Sequence, residues 1–510
     1  MADIQADRRS VLELGAATGA MLAPAPAAAA PGISDIVLMD AHGLASAIAA
    51  RRLSCVEVMN ATLDHIAAFN PKVNAIVALQ DRASLLAQAR MRDAQVARGE
   101  IVGPLHGFPH AVKDLQSVKG IVSTSGSPIL KDFIPDHDAL PVERMRAAGA
   151  IFIGKTNVPE FGLGSHTYNP VYGATRNAYD LTRSAGGSSG GAAVSLALRM
   201  LPVADGTDYG GSLRNPAGWN NVFGFRTSFG VVPVTGDDVW LPSMSVAGPM
   251  ARGVSDLAML LSVQAGYDAR APLSVAGDGR RFLGPLEADF KGTRIAWAGD
   301  WAGFAPYEAG VLDVCRTALK AFESLGCHVE EAVPDSSPEP VWQAFMRLRQ
   351  WQSGGSLRGY YDDPAKRALL KPEAIWEVEH KLKLSAFDIS AASAVRTAWS
   401  NAMQEFFARY DFLVLPTAQV FPFAIGETWP HEIAGQTMQT YHEWMKAVCL
   451  VTMTGCPALA VPAGFSTQGL PMGLQIVAPV HREMDCLKLG FAYQTANDWT
   501  ARRLPPLLRG

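Results

Sequence analysis

Charge is scarce in this chain. Only 18% of its 510 residues are Asp, Glu, Lys or Arg, and the formal net charge is −4. That balance offers no footprint for nucleic acid and no attraction to an anionic membrane. Cysteine is sparse as well: Cys55, Cys315, Cys327, Cys449, Cys456 and Cys486 stand apart and form no Cys-x-x-Cys pair. Their even number leaves disulfides open, although a chain of this length does not need them. The 11 histidines show no zinc-ligand spacing. Neither a metal nor a cofactor is therefore expected. No segment of the mature chain reads as a membrane span, and no internal repeat is present. What the chain does have is apolar residues, at 48%. That is the composition of a well-buried globular enzyme. The length allows two or three average domains or one large α/β unit.

Two glycine-rich stretches carry the chemistry. The first is Arg183-Ser184-Ala185-Gly186-Gly187-Ser188-Ser189-Gly190-Gly191, and the second is Gly206-Thr207-Asp208-Tyr209-Gly210-Gly211-Ser212-Leu213-Arg214. Each delivers a serine from between glycines, which let another backbone or a ligand come close. A serine so placed suits an acyl-transfer nucleophile with its oxyanion hole. A phosphate loop of the Walker type needs Gly-Lys-Ser/Thr after the glycines, and none follows. Read alone, the stretch leaves a serine nucleophile and a plain glycine-rich loop both open.

A lysine upstream adds a base. Gly107-Phe108-Pro109-His110-Ala111-Val112-Lys113-Asp114 reads as a loop entering a short strand that ends on Lys113. A lone lysine is usually a solvated surface charge. This one follows an apolar run with few charges around it, so burial is expected. Burial disfavours the ammonium form, and a neutral amine can accept a proton from a serine.

These stretches occur in one order with Gly154-Lys155-Thr156-Asn157-Val158-Pro159-Glu160-Phe161 and Gly173-Ala174-Thr175-Arg176-Asn177 between them. The series resembles the amidase-signature family of amidohydrolases. Weaker matches continue through Leu415-Pro416-Thr417, Gly455-Cys456-Pro457-Ala458 and Gly469-Leu470-Pro471-Met472-Gly473-Leu474-Gln475. The resemblance implies an α/β fold, a large mixed sheet flanked by helices on both faces. It implies hydrolysis of a small-molecule amide through a Ser-Ser-Lys relay. Ser212 attacks the carbonyl, Ser188 bridges, and Lys113 takes the proton. It also implies a cis peptide before Ser188. The N–H groups of Tyr209, Gly210, Gly211 and Ser212 are the expected oxyanion hole. Asp208 and Arg214 are expected to hold that turn, with Ser189 supporting the relay. Lys155, a second candidate base, is read as structural.

Three positions depart from the family pattern. Tyr209 stands where an aliphatic residue is frequent, Asn177-Ala178 replaces a frequent Asn-Pro, and Phe225-Arg226-Thr227 replaces a frequent Leu-Lys-Pro. The substrate expected is an aryl or other apolar amide. Esters and carbamates remain open to the same relay. So does the role of a glutamine-hydrolysing amidotransferase subunit, and a binding protein without catalysis is the weakest alternative. A monomer or homodimer is expected.

The rest of the chain reads as scaffold. Arg8-Arg9-Ser10-Val11-Leu12, an apolar run over 14–22 and an alanine tract resemble a twin-arginine export signal over 1–30. The amidase unit is then 31–510, and the location periplasmic or exported. A plain tail on a cytoplasmic chain is the alternative. Helices are expected over 40–52, 54–69, 81–97, 138–148, 308–325 and 483–496. The helix that opens at Ser54 should stop at Asn70-Pro71. Strands are expected over 73–79, 150–154, 201–204, 223–225, 230–234, 293–298, 328–331, 412–415 and 458–462. Residues 338–410 read as an inserted helical cap, with Trp342, Phe345, Trp351, Trp376, Phe387 and Trp399 chiefly as core.

Overall fold

A computed structural model describes residues 33–236, 238–241 and 244–509. The leader expected over 1–30 lies outside the described residues. The described chain begins with short helices and then the Cys55–Val73 helix. Ser54 and Glu57 form a capping box at its start, which satisfies two N–H groups that have no partner inside the helix. The helix does not stop at Pro71. Proline removes one hydrogen bond, and the last turn survives it. Asn74 ends the helix in the left-handed conformation, φ 54°. The Asn70 side chain then takes the N–H groups of Ala75 and Ile76, at 2.9 and 2.8 Å.

That turn leads into a three-stranded sheet. Its strands are β1 (Ile76–Val77), β2 (Pro109–Lys113) and β3 (Ile151–Thr156), in the order β1-β3-β2. β2 runs parallel to β3, and the register pairs Val112 with Lys155 and Lys113 with Thr156. Neighbouring residues along a strand project to opposite faces. Lys113 and Lys155 therefore leave the small sheet on opposite sides.

A larger mixed sheet forms the body. It contains β4 (Val203–Asp208), β5 (Phe223–Arg226), β6 (Val246–Ala251), β7 (Arg294–Trp297), β8 (His328–Glu331) and β9 (Phe412–Pro416). A small hairpin, β10 (Glu432–Ile433) and β11 (Gln436–Thr437), stands apart from it. β12 (Ala458–Phe465) and β13 (Pro471–Val477) complete the eight strands, in the order β4-β6-β5-β12-β13-β9-β7-β8. The β9-β7-β8 end is parallel and the rest antiparallel. This is the mixed α/β sheet expected. Residues 230–234 add no strand: Val231 N–H closes a turn onto Ser228 O at 3.3 Å, and Gly230 has φ 81°.

The Gly190–Ala197 helix is buried along its whole length. A Cβ on Gly191 would stand 2.3 Å from Asn157 N and 2.6 Å from Ala75 O. Only glycine lets this helix lie so close to the small sheet. Residues 338–407 form the helices Pro338–Ser356, Arg358–Tyr361, Pro364–Arg367, Pro372–Lys381 and Ala386–Phe407. Trp342, Phe345 and Trp399 are core there, Trp351 and Trp376 are half-buried, and Phe387 is 87% exposed. A small apolar cluster of Leu163, Leu357, Leu370, Ala374 and Val378 joins these helices to the segment after Glu160. All six cysteines are free and buried. Among the described residues, no helix is long and apolar enough to cross a membrane, and no group of His, Cys, Asp and Glu could hold a metal.

Candidate active site

Lys113 ends β2 with no exposed surface. Its Nζ donates to Ser188 Oγ at 2.8 Å, Ser189 Oγ at 2.7 Å, Thr207 Oγ1 at 2.8 Å and Thr207 O at 3.2 Å. No carboxylate touches the nitrogen among the described residues. Burial pushes the amine down to about 7, against the pull of Asp205 and Asp208. Hydroxyl partners suit either protonation state, because a hydroxyl can accept from an ammonium or donate into the lone pair of an amine. The Gly187–Ser188 peptide is cis, and Ser189 opens the Gly190–Ala197 helix as its N-cap.

The second serine lies on the neighbouring turn. Ser189 N–H donates to Ser212 O at 3.2 Å, which ties the two loops together. Ser188 is 2% and Ser212 6% exposed. Among the described residues the Ser212 hydroxyl makes no hydrogen bond, so the Ser188–Ser212 link of the expected relay is open in this state. Catalytic hydrogen bonds often close only with substrate in place.

Asp208 builds the turn that carries Ser212. Its carboxylate accepts the N–H groups of Gly211 and Leu213, at 2.9 and 3.0 Å. Arg214 grips it twice at 3.0 Å, and Arg226 at 3.2 Å. Burial works to raise this carboxyl, but Arg214 and Arg226 outweigh it and hold it well below the usual carboxylate range. Arg214 continues to Val448 O, Gln475 Oε1 and Thr452 Oγ1, so the turn is anchored to β13 and to the Lys446–Thr454 helix. The expected pairing of Asp208 with Arg214 is present. Of the four expected oxyanion donors, the Gly211 N–H is given to Asp208 in this state. The N–H groups of Tyr209, Gly210 and Ser212 have no acceptor among the described residues. The Tyr209 side chain points to the Pro338–Ser356 helix instead, donating to Gln352 Oε1 at 2.8 Å.

Lys155 is not part of this cluster. Its Nζ meets Gln116 O, Ser123 Oγ at 3.1 Å and Asp114 Oδ1 at 3.7 Å. Burial pushes it down to about 8, with Asp114 opposing. Sequence reasoning missed four site residues: Thr207, Asp205, Arg226 and His110. Thr207 and Asp205 were within reach of it, since alternate residues of one strand share a face. Arg226 drew notice only as a departure from the family pattern, and its pairing with Asp208 is its physical reason.

A sequence profile of the amidase family matches residues 57–487. The chain belongs to the amidase family. This amidase is 33% identical over 477 residues to an acylamidase of Rhodococcus erythropolis, covering 91% of this chain and 97% of that one. It is 34% identical over 492 residues to a glutamyl-tRNA(Gln) amidotransferase subunit of Carboxydothermus hydrogenoformans, covering 92% and 99%. The crystal structure of a bacterial aryl acylamidase of the amidase-signature family superposes with a TM-score of 0.87 at 28% identity. That match covers 94% of this chain and 99% of the aryl acylamidase. The amidase is an amide-hydrolysing enzyme with the amidase-signature fold.

Proposed function

We propose that this amidase cleaves amides bearing an aryl or other apolar group through an acyl-serine intermediate, with Ser212 as nucleophile, Ser188 as bridge and Lys113 as base. The observation that carries the reading is the Lys113 amine. It is shut away from water, held by hydroxyls and, among the described residues, free of any carboxylate contact. Near neutral pH such an amine is available as a base.

Ser212 Oγ attacks the carbonyl carbon. Its proton passes to Ser188 Oγ as the Ser188 proton passes to Lys113 Nζ. The oxyanion draws on the N–H groups of Tyr209, Gly210 and Ser212. On collapse, Ser188 protonates the leaving nitrogen and is reprotonated by Lys113. Water then repeats the route on the acyl-enzyme. The apolar preference is supported by the wall beside the turn: a Cβ on Gly210 would lie 3.3 Å from Cys449 Sγ and 3.6 Å from Phe345 Cζ. The acylamidase and aryl acylamidase relatives agree with it.

A panel of anilides, aliphatic amides, peptide amides, esters, carbamates and glutamine, ranked by kcat/KM, tests the substrate class. Anilides should lead, and rapid quench should trap an acyl adduct on the peptide containing Ser212. A chain that released ammonia from glutamine and ignored anilides would support the amidotransferase reading, which the 34% identical amidotransferase relative keeps in view. An export role for the leader belongs to the same proposal. Fusing residues 1–30 to a folded reporter would test it through a twin-arginine-dependent change of compartment.

A further inference from the structure

The site contains a carboxylate that the relay does not use. We propose that Asp205 is a positioning residue of this amidase: it fixes the main chain of Lys113 and sets the charge felt by its amine. The inference rests on Lys113 being the base.

β4 grips Lys113 at both ends. Asp205 and Thr207 are two residues apart on that strand and share a face. Thr207 takes the side-chain nitrogen. Asp205 takes the main-chain N–H, at 3.3 Å to Oδ1 and 3.2 Å to Oδ2. The same carboxylate accepts from Gln116 Nε2 at 2.6 Å and from His110 Nε2 at 2.9 Å. One fully buried group on the large sheet thus collects three donors from the segment around the end of β2. A carboxylate only accepts, so the His110 ring presents Nε2–H to it. His110 Nδ1 has no partner among the described residues.

Two carboxylates act on the amine, Asp205 and Asp208, and their settings differ. Asp208 is neutralised by Arg214 and Arg226. Asp205 forms no ion pair with Lys or Arg among the described residues. Its donors are an N–H, an amide and an imidazole, which satisfy its oxygens without a fixed positive charge. Its field therefore reaches the amine with less opposition. The other titratable groups nearby are Lys155 on β3, itself paired with Asp114, and His110. From the Ser188 and Ser189 side the amine meets only hydroxyls.

The test is the pH dependence of kcat/KM on an anilide for wild type, Asp205→Asn and Asp205→Glu, with Lys113→Ala alongside and thermal unfolding as the fold control. Asp205→Asn removes the charge, so the amine should give up its proton more readily. The acid limb should then move down by roughly one pH unit. Asp205→Glu keeps the charge and displaces it by one methylene. It should leave the limb in place and lower kcat by about 10²-fold with little change in KM. A folded Asp205→Asn with an unmoved limb overturns the inference. So does an Asp205→Glu variant with wild-type kcat, and so does failure of both variants to fold, which would mark a structural residue. If Lys113→Ala retains activity, the reading of Lys113 as base fails first, and the inference falls with it.

Discussion

Lys113→Met should abolish turnover and stabilise the protein on the acid side of the amine's titration, with a gain that disappears as the pH rises. The amine sits at about 7 in the folded chain, below its ordinary value of 10.5. Between those values the unfolded chain holds a proton that the folded chain has released. Wild-type stability therefore rises with pH across that window. Below it, both states are protonated and folding bears the full cost of burying the charge. The separation amounts to about 4–5 kcal/mol. Methionine removes that cost at every pH. It also strands the hydroxyls of Ser188 and Thr207, at about 1 kcal/mol each and without pH dependence, while the Ser189 hydroxyl keeps Thr207 O at 3.4 Å. An unfolding entropy on the order of 1 kcal/mol/K for a chain of this length converts the pH-dependent part into about 4 °C. The assay is Tm for both proteins in matched buffers from about pH 6 to about pH 10, bracketing the two values. The difference, variant minus wild type, should shrink by about 4 °C over that range. Parallel curves would refute the reasoning, because they would mean the amine is as well solvated folded as unfolded.

Ser212→Ala should lower kcat on the order of 10⁴-fold or more in initial-rate assays, with Tm unchanged because the lost hydroxyl bonds to nothing among the described residues. Asp208→Asn should leave Arg214 and Arg226 buried without a counter-charge. Thermal unfolding should show a loss of about 3–5 kcal/mol, and kcat should fall by about 10²-fold as the turn loosens. Dialysis against a chelator should leave kcat/KM intact. Activity lost with EDTA and restored by zinc would count against a relay of two hydroxyls and an amine.

The local parts of this enzyme were open to sequence reading, and the distant parts were not. Lys113, Ser188 and Ser212 stand in glycine-punctuated motifs whose chemistry is written in neighbouring residues. The helical stretch expected over 338–410 is present as the helices over 338–407. The order of the eight strands joins β4 to β6 and β12 to β5, and no short-range signal encodes that. The resemblance separates Lys113 from Lys155, but the physical reason, a parallel register that puts them on opposite faces, is visible only in the fold. That Asp208 reaches back for the Gly211 N–H is likewise a matter of how the turn folds. Residues 230–234 looked like a strand by composition, yet no neighbouring strand offers them a ladder. Pro71 looked like a helix stop, but Asn70 and Asn74 set the end three residues later.

The six buried thiols give the protein an internal reporter. Burial raises every one of them, Cys327 least, to about 11, and Cys486 among the most. Alkylating dyes attack the thiolate, so the folded enzyme should remain unlabelled at neutral pH. Labelling then proceeds only as fast as the chain opens, and the order in which cysteine-containing peptides acquire dye would chart which layer of the molecule lets go first. The same burial shields the thiols from crosslinking with one another.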